Sequence, residues 1–249
     1  LAPASTGEGI EAKRNPIATP MLQCNNAVQH GGCGMPGRII TISQQKGGSG
    51  KTTLAAHLAV ALARAAGKPV AILDVDPQGS LGEWFEARER RLGDGRTGLE
   101  FRTASGWGAR REARTLARDH DIVIVDTPPK SDLESKPAIE AADLVAVPIQ
   151  PTHFDLWATE STLRTLAKEG SRTILIVNRL PPRASLSAEM IEAIAQLGFP
   201  VAEARLGNRV AFASSMGVGS TVLEAAPSSK GAAEVQALAR ELLAHASRP

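Results

Sequence analysis

From residue 38 onward the chain alternates two hydrophobic patterns. Short, unbroken apolar runs rich in Val and Ile occupy 39–43, 70–74, 122–126, 144–149 and 173–178. Such a run reads as a strand covered on both faces, because a half-exposed strand would alternate apolar with polar positions. Weaker runs at 99–103 and 200–204 are further strand candidates. Between them lie stretches of helical period at 53–66, 80–91, 108–119, 133–141, 155–169, 186–197 and 231–246. The first is rich in Ala, sets Leu54, Leu58 and Leu62 on one face, and meets Gly67, a residue suited to its C-terminal stop. Strands alternating with helices predict βαβ crossovers, hence an α/β fold with a mostly parallel sheet and helices on both faces. Ligands in such folds bind beyond the C-terminal ends of the strands, which is where the chemistry is sought.

Residues 1–37 break this pattern. They are rich in Gly, Pro, Asn, Gln and Ala without an apolar period, a composition that buries too little surface to offset the entropy of ordering it. We expect a disordered tail over 1–37, with Met35 as the natural start, and one domain over 38–249. Aromatic residues make up 3% of the chain and Tyr is absent, so the core must be aliphatic. Cys24 and Cys33, with His30 between them, are too few and too widely spaced for a disulfide scaffold or a zinc site. No run of 18 apolar residues and no apolar signal segment is present, so the expected location is cytoplasmic. A net charge of +2 does not by itself mark a nucleic-acid binder; placement of the charge decides that. Nine arginines against four acids lie between 88 and 118, a solvated face or part of an anion-binding surface.

The first strand runs into Gln44-Gln45-Lys46-Gly47-Gly48-Ser49-Gly50-Lys51-Thr52-Thr53 and then the Ala-rich helix. Glycines let a backbone wrap closely around phosphates, and the helix N-terminus adds partial positive charge. Gly47, Gly48, Ser49, Gly50, Lys51, Thr52 and Thr53 are the expected phosphate cradle. Lys51 is placed for the β- and γ-phosphates, and the Thr52 hydroxyl for Mg²⁺. The ordinary G-x4-G-K-[ST] pattern does not fit, because its first glycine would fall at Gln45. Lys-Gly-Gly-x-Gly-Lys-Thr-Thr instead resembles the deviant Walker A motif of the P-loop superfamily that includes ParA, MinD and the nitrogenase iron protein. The resemblance implies that Lys46 reaches across an ATP-sandwiched dimer to the partner's nucleotide, adding a cation to the transferring phosphoryl group.

Acids follow two other strands. Asp74-Val75-Asp76-Pro77-Gln78 resembles the switch I segment of ParA proteins, which implies that Asp76 orients the attacking water and Asp74 supports it. The alternative for Asp76 is a cap on the helix at 80–91. Asp126-Thr127-Pro128-Pro129 resembles Walker B followed by switch II, implying that Asp126 holds Mg²⁺. Asn178, in Val-Asn-Arg at another strand end, would by the same resemblance read the adenine ring.

The resemblance covers about 38–246 and favours small ParA-like partitioning ATPases. It implies ATP and Mg²⁺ as cofactors, homodimerisation on ATP, non-specific DNA binding by the dimer on the nucleoid, and hydrolysis stimulated by a ParB-like or other cargo adaptor. Arg209 aligns with the family's DNA-contacting arginine, although Phe212-Ala-Ser-Ser215 departs from the usual Glu-Ala-Pro-Ser. Two alternatives stay open. A MinD-like membrane ATPase would need an amphipathic end, whereas the apolar residues of 237–249 are taken up by the last packing helix. An amide-forming synthetase would use the γ-phosphate to activate a carboxylate.

Overall fold

The computed structural model describes residues 36–66, 69–129, 132–182 and 185–247. Residues 1–35 of the expected tail, with Met35, both cysteines and His30, lie outside the described residues, as does Gly67; Gly37, the last residue of that tail, is tied to the domain by its N–H, which donates to the Ala117 carbonyl at 2.7 Å. Six strands, β1 (Arg38–Ile42), β2 (Val70–Asp74), β3 (Glu100–Thr103), β4 (Ile122–Asp126), β5 (Leu144–Ile149) and β6 (Thr173–Val177), form one sheet in the order β3-β2-β4-β1-β5-β6. Every pairing is parallel. The helices are α1 (Lys51–Ala66), α2 (Ser80–Leu92), α3 (Ala109–Asp119), α4 (Asp132–Ala141), α5 (His153–Lys168), α6 (Ser185–Ala195), α7 (Val210–Met216), α8 (Val222–Ala225) and α9 (Lys230–Ala246).

Both sheet faces are covered, as the unbroken apolar runs require. Along β4, Ile122 and Ile124 join the core shared with α1, α2 and α9, while Val123 and Val125 join the one beneath α3. Along β5, Leu144 and Ala146 face the first core, and Val145, Val147 and Ile149 face a third packed by α5 and α6. Every residue of α1 from Leu54 to Leu62 is buried, not only the Leu54-Leu58-Leu62 stripe. A helix that is apolar all round belongs inside, and here the sheet, α8 and α9 enclose it.

Three sequence expectations need adjustment. The run at 200–204 forms no named strand, only an isolated bridge from Val201 to Leu175, because the Glu203 and Ala204 N–H groups donate to the Glu241 carboxylate (2.8 and 3.0 Å) in place of a ladder. The helix expected at 155–169 starts earlier, at His153, where the Thr152 hydroxyl accepts from the Asp155 N–H as an N-cap. Helices α7 and α8, of seven and four residues, have no counterpart among the expected helical stretches. Helices this short do not hold themselves, so tertiary contacts fix them.

Register aligns the site. Ile42 of β1 and Asp74 of β2 both pair with Asp126 of β4. The exit of the central strand and two carboxylates thus share one end of the sheet.

Candidate nucleotide site

The loop between β1 and α1 is built on two left-handed glycines, Gly48 (φ 74°) and Gly50 (φ 93°). At Gly50 a side chain would also collide with the Asn178 amide, 2.7 Å from the ideal Cβ. At Gly47 and Gly48 a Cβ would meet nothing within 4 Å, so this lip of the loop faces open space. The first intrahelical bond runs from the Leu54 N–H to the Gly50 carbonyl, 2.9 Å. The N–H groups before it are those a helix start leaves free for an anion.

Helix α5 and strand β5 hold the loop's shape. The Gln44 amide donates to the Thr159 hydroxyl (2.9 Å) and accepts from the Thr162 hydroxyl (2.8 Å). The Gln150 amide donates to the Gly48 carbonyl at 3.1 Å. At the end of β6, the Asn178 amide donates to the Ser49 carbonyl (2.8 Å) and accepts from the Arg179 N–H (2.9 Å). Asn178 is therefore a brace of the loop. Arg179 (φ 53°) is the non-glycine residue in a left-handed conformation among the described residues, a place where backbone strain collects beside functional groups.

Lys51 is buried, and burial lowers its pKa while Asp126 and Asp76 oppose that shift. Asp126 is 1% exposed, and neither carboxylate oxygen has a hydrogen-bond partner. Burial pushes its pKa up to about 7; Thr52 and Lys51 draw it back, and the neighbouring Asp74 and Asp76 raise it. The Ser49 hydroxyl is likewise buried without a partner. Unpartnered buried oxygens are costly unless a ligand completes them, and carboxylate and hydroxyl oxygens are the donor set of a hard divalent cation. The residues therefore fit Mg²⁺ beside a phosphate: Asp126 and Thr52 at the cation, Lys51 and the loop N–H groups at the anion. Among the described residues no group of three or more His, Cys, Asp or Glu could hold a metal by itself, so a cation here would share its coordination with the Thr52 hydroxyl and phosphate oxygens.

Asp74 and Asp76 differ in employment. Asp74 is buried and accepts from the Asp76 N–H (3.0 Å) and the Gly82 N–H (3.2 Å), tying β2 to α2. Asp76 is half-buried and accepts from the Gln78 N–H (3.0 Å). It does not cap α2, whose N-cap is Gly79 without a side-chain bond. Its carboxylate is left at the rim of the site.

The loop is that of a nucleotide-binding protein, and family comparison agrees. Residues 40–222 match the CobQ/CobB/MinD/ParA nucleotide-binding domain. The chain belongs to that family. It is similar to the maintenance of carboxysome distribution protein A of Gloeobacter kilaueensis, 34% identical over 67% of this chain and 75% of the relative. It is also similar to the chromosome-partitioning ATPase Soj of Thermus thermophilus, 30% identical over 83% of this chain and 96% of the relative. In fold it resembles the septum site-determining protein MinD of Pyrococcus horikoshii complexed with Mg-ADP, with a TM-score of 0.70 over 82% of this chain and 95% of that one, at 22% identity.

The remaining site expectations fall in two places. Lys46 lies on the loop with its ammonium 2.6 Å from Asp155 Oδ2. Asp155 is buried and takes the Thr152 hydroxyl as well, at 2.5 Å. Arg209 sits far along the chain at the start of α7, in a two-pronged pair with Glu234 at 2.6 and 3.1 Å. Sequence reading missed Asp155, Gln44 and Glu234. Asp155 carried one signal, a Thr-x-x-Asp spacing at a helix start; nothing local linked it to Lys46, 109 residues away. Among the described residues no helix is long and apolar enough to cross a membrane.

Proposed function

We propose that this chain is a Mg²⁺-dependent ATPase that dimerises on ATP, binds DNA without sequence preference and is stimulated by a cargo-bound partner. The observation that supports it best is the convergence of Lys51, Asp76 and the partnerless Asp126 behind a loop that carries a second, partly exposed lysine. A self-contained phosphate loop needs only Lys51, which leaves Lys46 for a group outside the monomer. The relatives are named for carboxysome distribution and chromosome partitioning, and the MinD neighbour holds Mg-ADP. Positioning of DNA or of a protein body follows from the first pair, and ATP with Mg²⁺ from the last.

Each residue has a proposed task. The loop N–H groups and Lys51 bind and orient the β- and γ-phosphates. Thr52 and Asp126 hold the cation, which screens charge on the transferring group. Asp76, at the rim, orients the attacking water. Lys46, released from Asp155, reaches the partner's nucleotide. Asn178, at the end of β6 and hydrogen-bonded to the loop at Ser49, reads the adenine ring. Arg209 contacts DNA once freed from Glu234. With these tasks the protein works in the cytoplasm, on the nucleoid.

Sizing with ATP and Mg²⁺ tests this reading. Asp76→Ala should bind ATP, turn over far more slowly and accumulate as dimer. Lys46→Ala should bind ATP and stay monomeric. If both run like wild type, the sandwich dimer is wrong. If the Asp76→Ala dimer ignores DNA at low salt but sediments with anionic vesicles, the membrane reading replaces this one. ATP use only with a carboxylate substrate would make the chain a synthetase.

A further inference from the structure

Helix α3 divides its residues sharply. Ala109, Ala113, Leu116 and Ala117 are buried against the sheet. At 100° per residue the opposite face carries Arg111, Arg114, Thr115 and Arg118, all within about 100° of arc. The three arginines are exposed, and none makes an ion pair among the described residues. Trp107 stands one turn ahead in a short 3-10 turn (Gly106–Gly108) and is 87% exposed in a chain with three Trp. Trp107, Arg111, Arg114 and Arg118 thus follow one line, about 16 Å long at helical rise.

Neighbouring arginines are spent differently. Arg102 pairs with Glu100 and Glu112, Arg110 with Glu140, Arg90 with Glu86, and Arg88 and Arg91 with Glu224. Arg209 is held by Glu234. Of the arginine-rich stretch at 88–118, the part left for an outside anion is therefore the α3 line, with Arg96 away from it in the turn after α2. Like charges three and four positions apart on a helix repel each other, so the line gains when an anion is laid along it.

We propose that this line is a phosphate-contacting surface for duplex DNA. The inference rests on the DNA-binding reading above and names a surface that the Arg209 alignment did not. Guanidinium forks match phosphate oxygens in pairs. Trp107 adds an N–H donor and a flat apolar face for a sugar. A lipid surface is a poorer match, since a membrane-lying helix needs a continuous exposed apolar face and the apolar face of α3 is already spent on the core. Contacts of this kind position the protein without reading bases. Unlike Arg209, the α3 line has no internal ion pair to break first.

The test uses the full chain with ATP and Mg²⁺ and a fluorescein-labelled duplex of arbitrary sequence. The triple variant Arg111→Glu/Arg114→Glu/Arg118→Glu should bind every duplex about tenfold or more weakly. ATP turnover, dimerisation and melting temperature should stay at wild-type values. The milder Arg→Gln triple should reduce the slope of log affinity against log salt by up to about 3, near 0.9 for each phosphate that is no longer neutralised. Trp107→Ala should give a smaller, equally sequence-independent loss. Wild-type affinity and salt slope in both triple variants would overturn the α3 surface while leaving the DNA-binding reading intact. Failure of the wild-type protein itself to bind any duplex would overturn that reading and the surface with it. Sedimentation with phosphatidylglycerol vesicles that the triple variant abolishes would assign the line to lipid and overturn the nucleic-acid assignment.

Discussion

Two buried polar clusters lie against helix α1. At its N-terminus, both Asp126 carboxylate oxygens and the Ser49 hydroxyl are buried without partners. Along its far side, a second cluster joins α1 and α2 to α8 with its groups satisfied. Arg88, 5% exposed, donates to the Thr97 carbonyl and to Glu224 at 2.8 Å. Glu224 also accepts from the Thr221 N–H at 3.1 Å, and Arg91 pairs with it at 3.2 Å. His57 donates from Nδ1 to the Thr53 carbonyl (2.8 Å) and accepts at Nε2 from the Val222 N–H (3.0 Å). This geometry fixes the tautomer and leaves the ring neutral. Burial is costly for the polar groups of both clusters. What differs is who supplies the partners: the protein at the second cluster, a ligand at the first. A satisfied network is architecture, and an unsatisfied one marks a binding site.

The largest expected effect is at the satisfied cluster. Arg88→Ala strands the Thr97 carbonyl and leaves Glu224 with Arg91 as its remaining cation, so the loss should approach but not exceed the about 3–5 kcal/mol of breaking a fully buried pair. Urea unfolding should show this loss, while the fraction still folded binds nucleotide normally. A loss below about 1 kcal/mol would mean that Glu224 finds water instead, and the contrast would lapse. At the other cluster, Lys51→Ala should cost about 3 kcal/mol of nucleotide binding, roughly 100-fold in Kd, with calorimetry as the readout.

His57 gives the comparison a pH axis. Burial holds its pKa down at about 4 against an ordinary 6.5, with the Thr53 carbonyl and Glu224 opposing. The folded protein therefore refuses a proton that the unfolded chain accepts. Stability should be unaffected above pH 6.5, fall as pH drops from 6.5 towards 4, and lose up to about 3 kcal/mol over that window. Glu224 behaves as a depressed acid, about 2 against 4.5, because its arginine partners outweigh its burial. Its contribution is complete above 4.5 and disappears between 4.5 and 2. His57→Leu should flatten the upper window in pH-dependent melting and leave the lower one. An unchanged upper slope in that variant would assign the titration elsewhere.

The smallest effect separates the clusters most sharply. Without ligand, Asp126→Asn removes a buried carboxylate that burial disfavours and whose oxygens accept no hydrogen bond, with Lys51 only partly offsetting the cost, so stability should hold or rise by about 1 kcal/mol. Glu224→Gln should lower it. Added ATP and Mg²⁺ should then raise the melting temperature of Glu224→Gln but not of Asp126→Asn. Equal losses in the two ligand-free variants would show that the first cluster is structural as well.

The sequence by itself determined the parallel α/β fold and the phosphate loop, because both are local. Short Val- and Ile-rich runs set between helical stretches read as strands covered on two sides, and Gly48 and Gly50 mark the left-handed turns that bring N–H groups round a phosphate. Strand-end position drew attention to Asp74, Asp76, Asp126 and Asn178, and the family resemblance of their motifs singled them out. Their division of labour was not legible. Asp74 and Asp126 pair across β2 and β4, yet one is hydrogen-bonded and the other left open. Only tertiary structure decided that, together with the hold of Asp155 on Lys46, the capture of Arg209 by Glu234, and the helices α7 and α8. The physical reason is common to all of them. Periodicity and turn chemistry are set by residues a few positions apart, whereas a buried charge takes its partner from whatever the fold brings beside it, 109 residues away for Lys46 and 136 for Arg88.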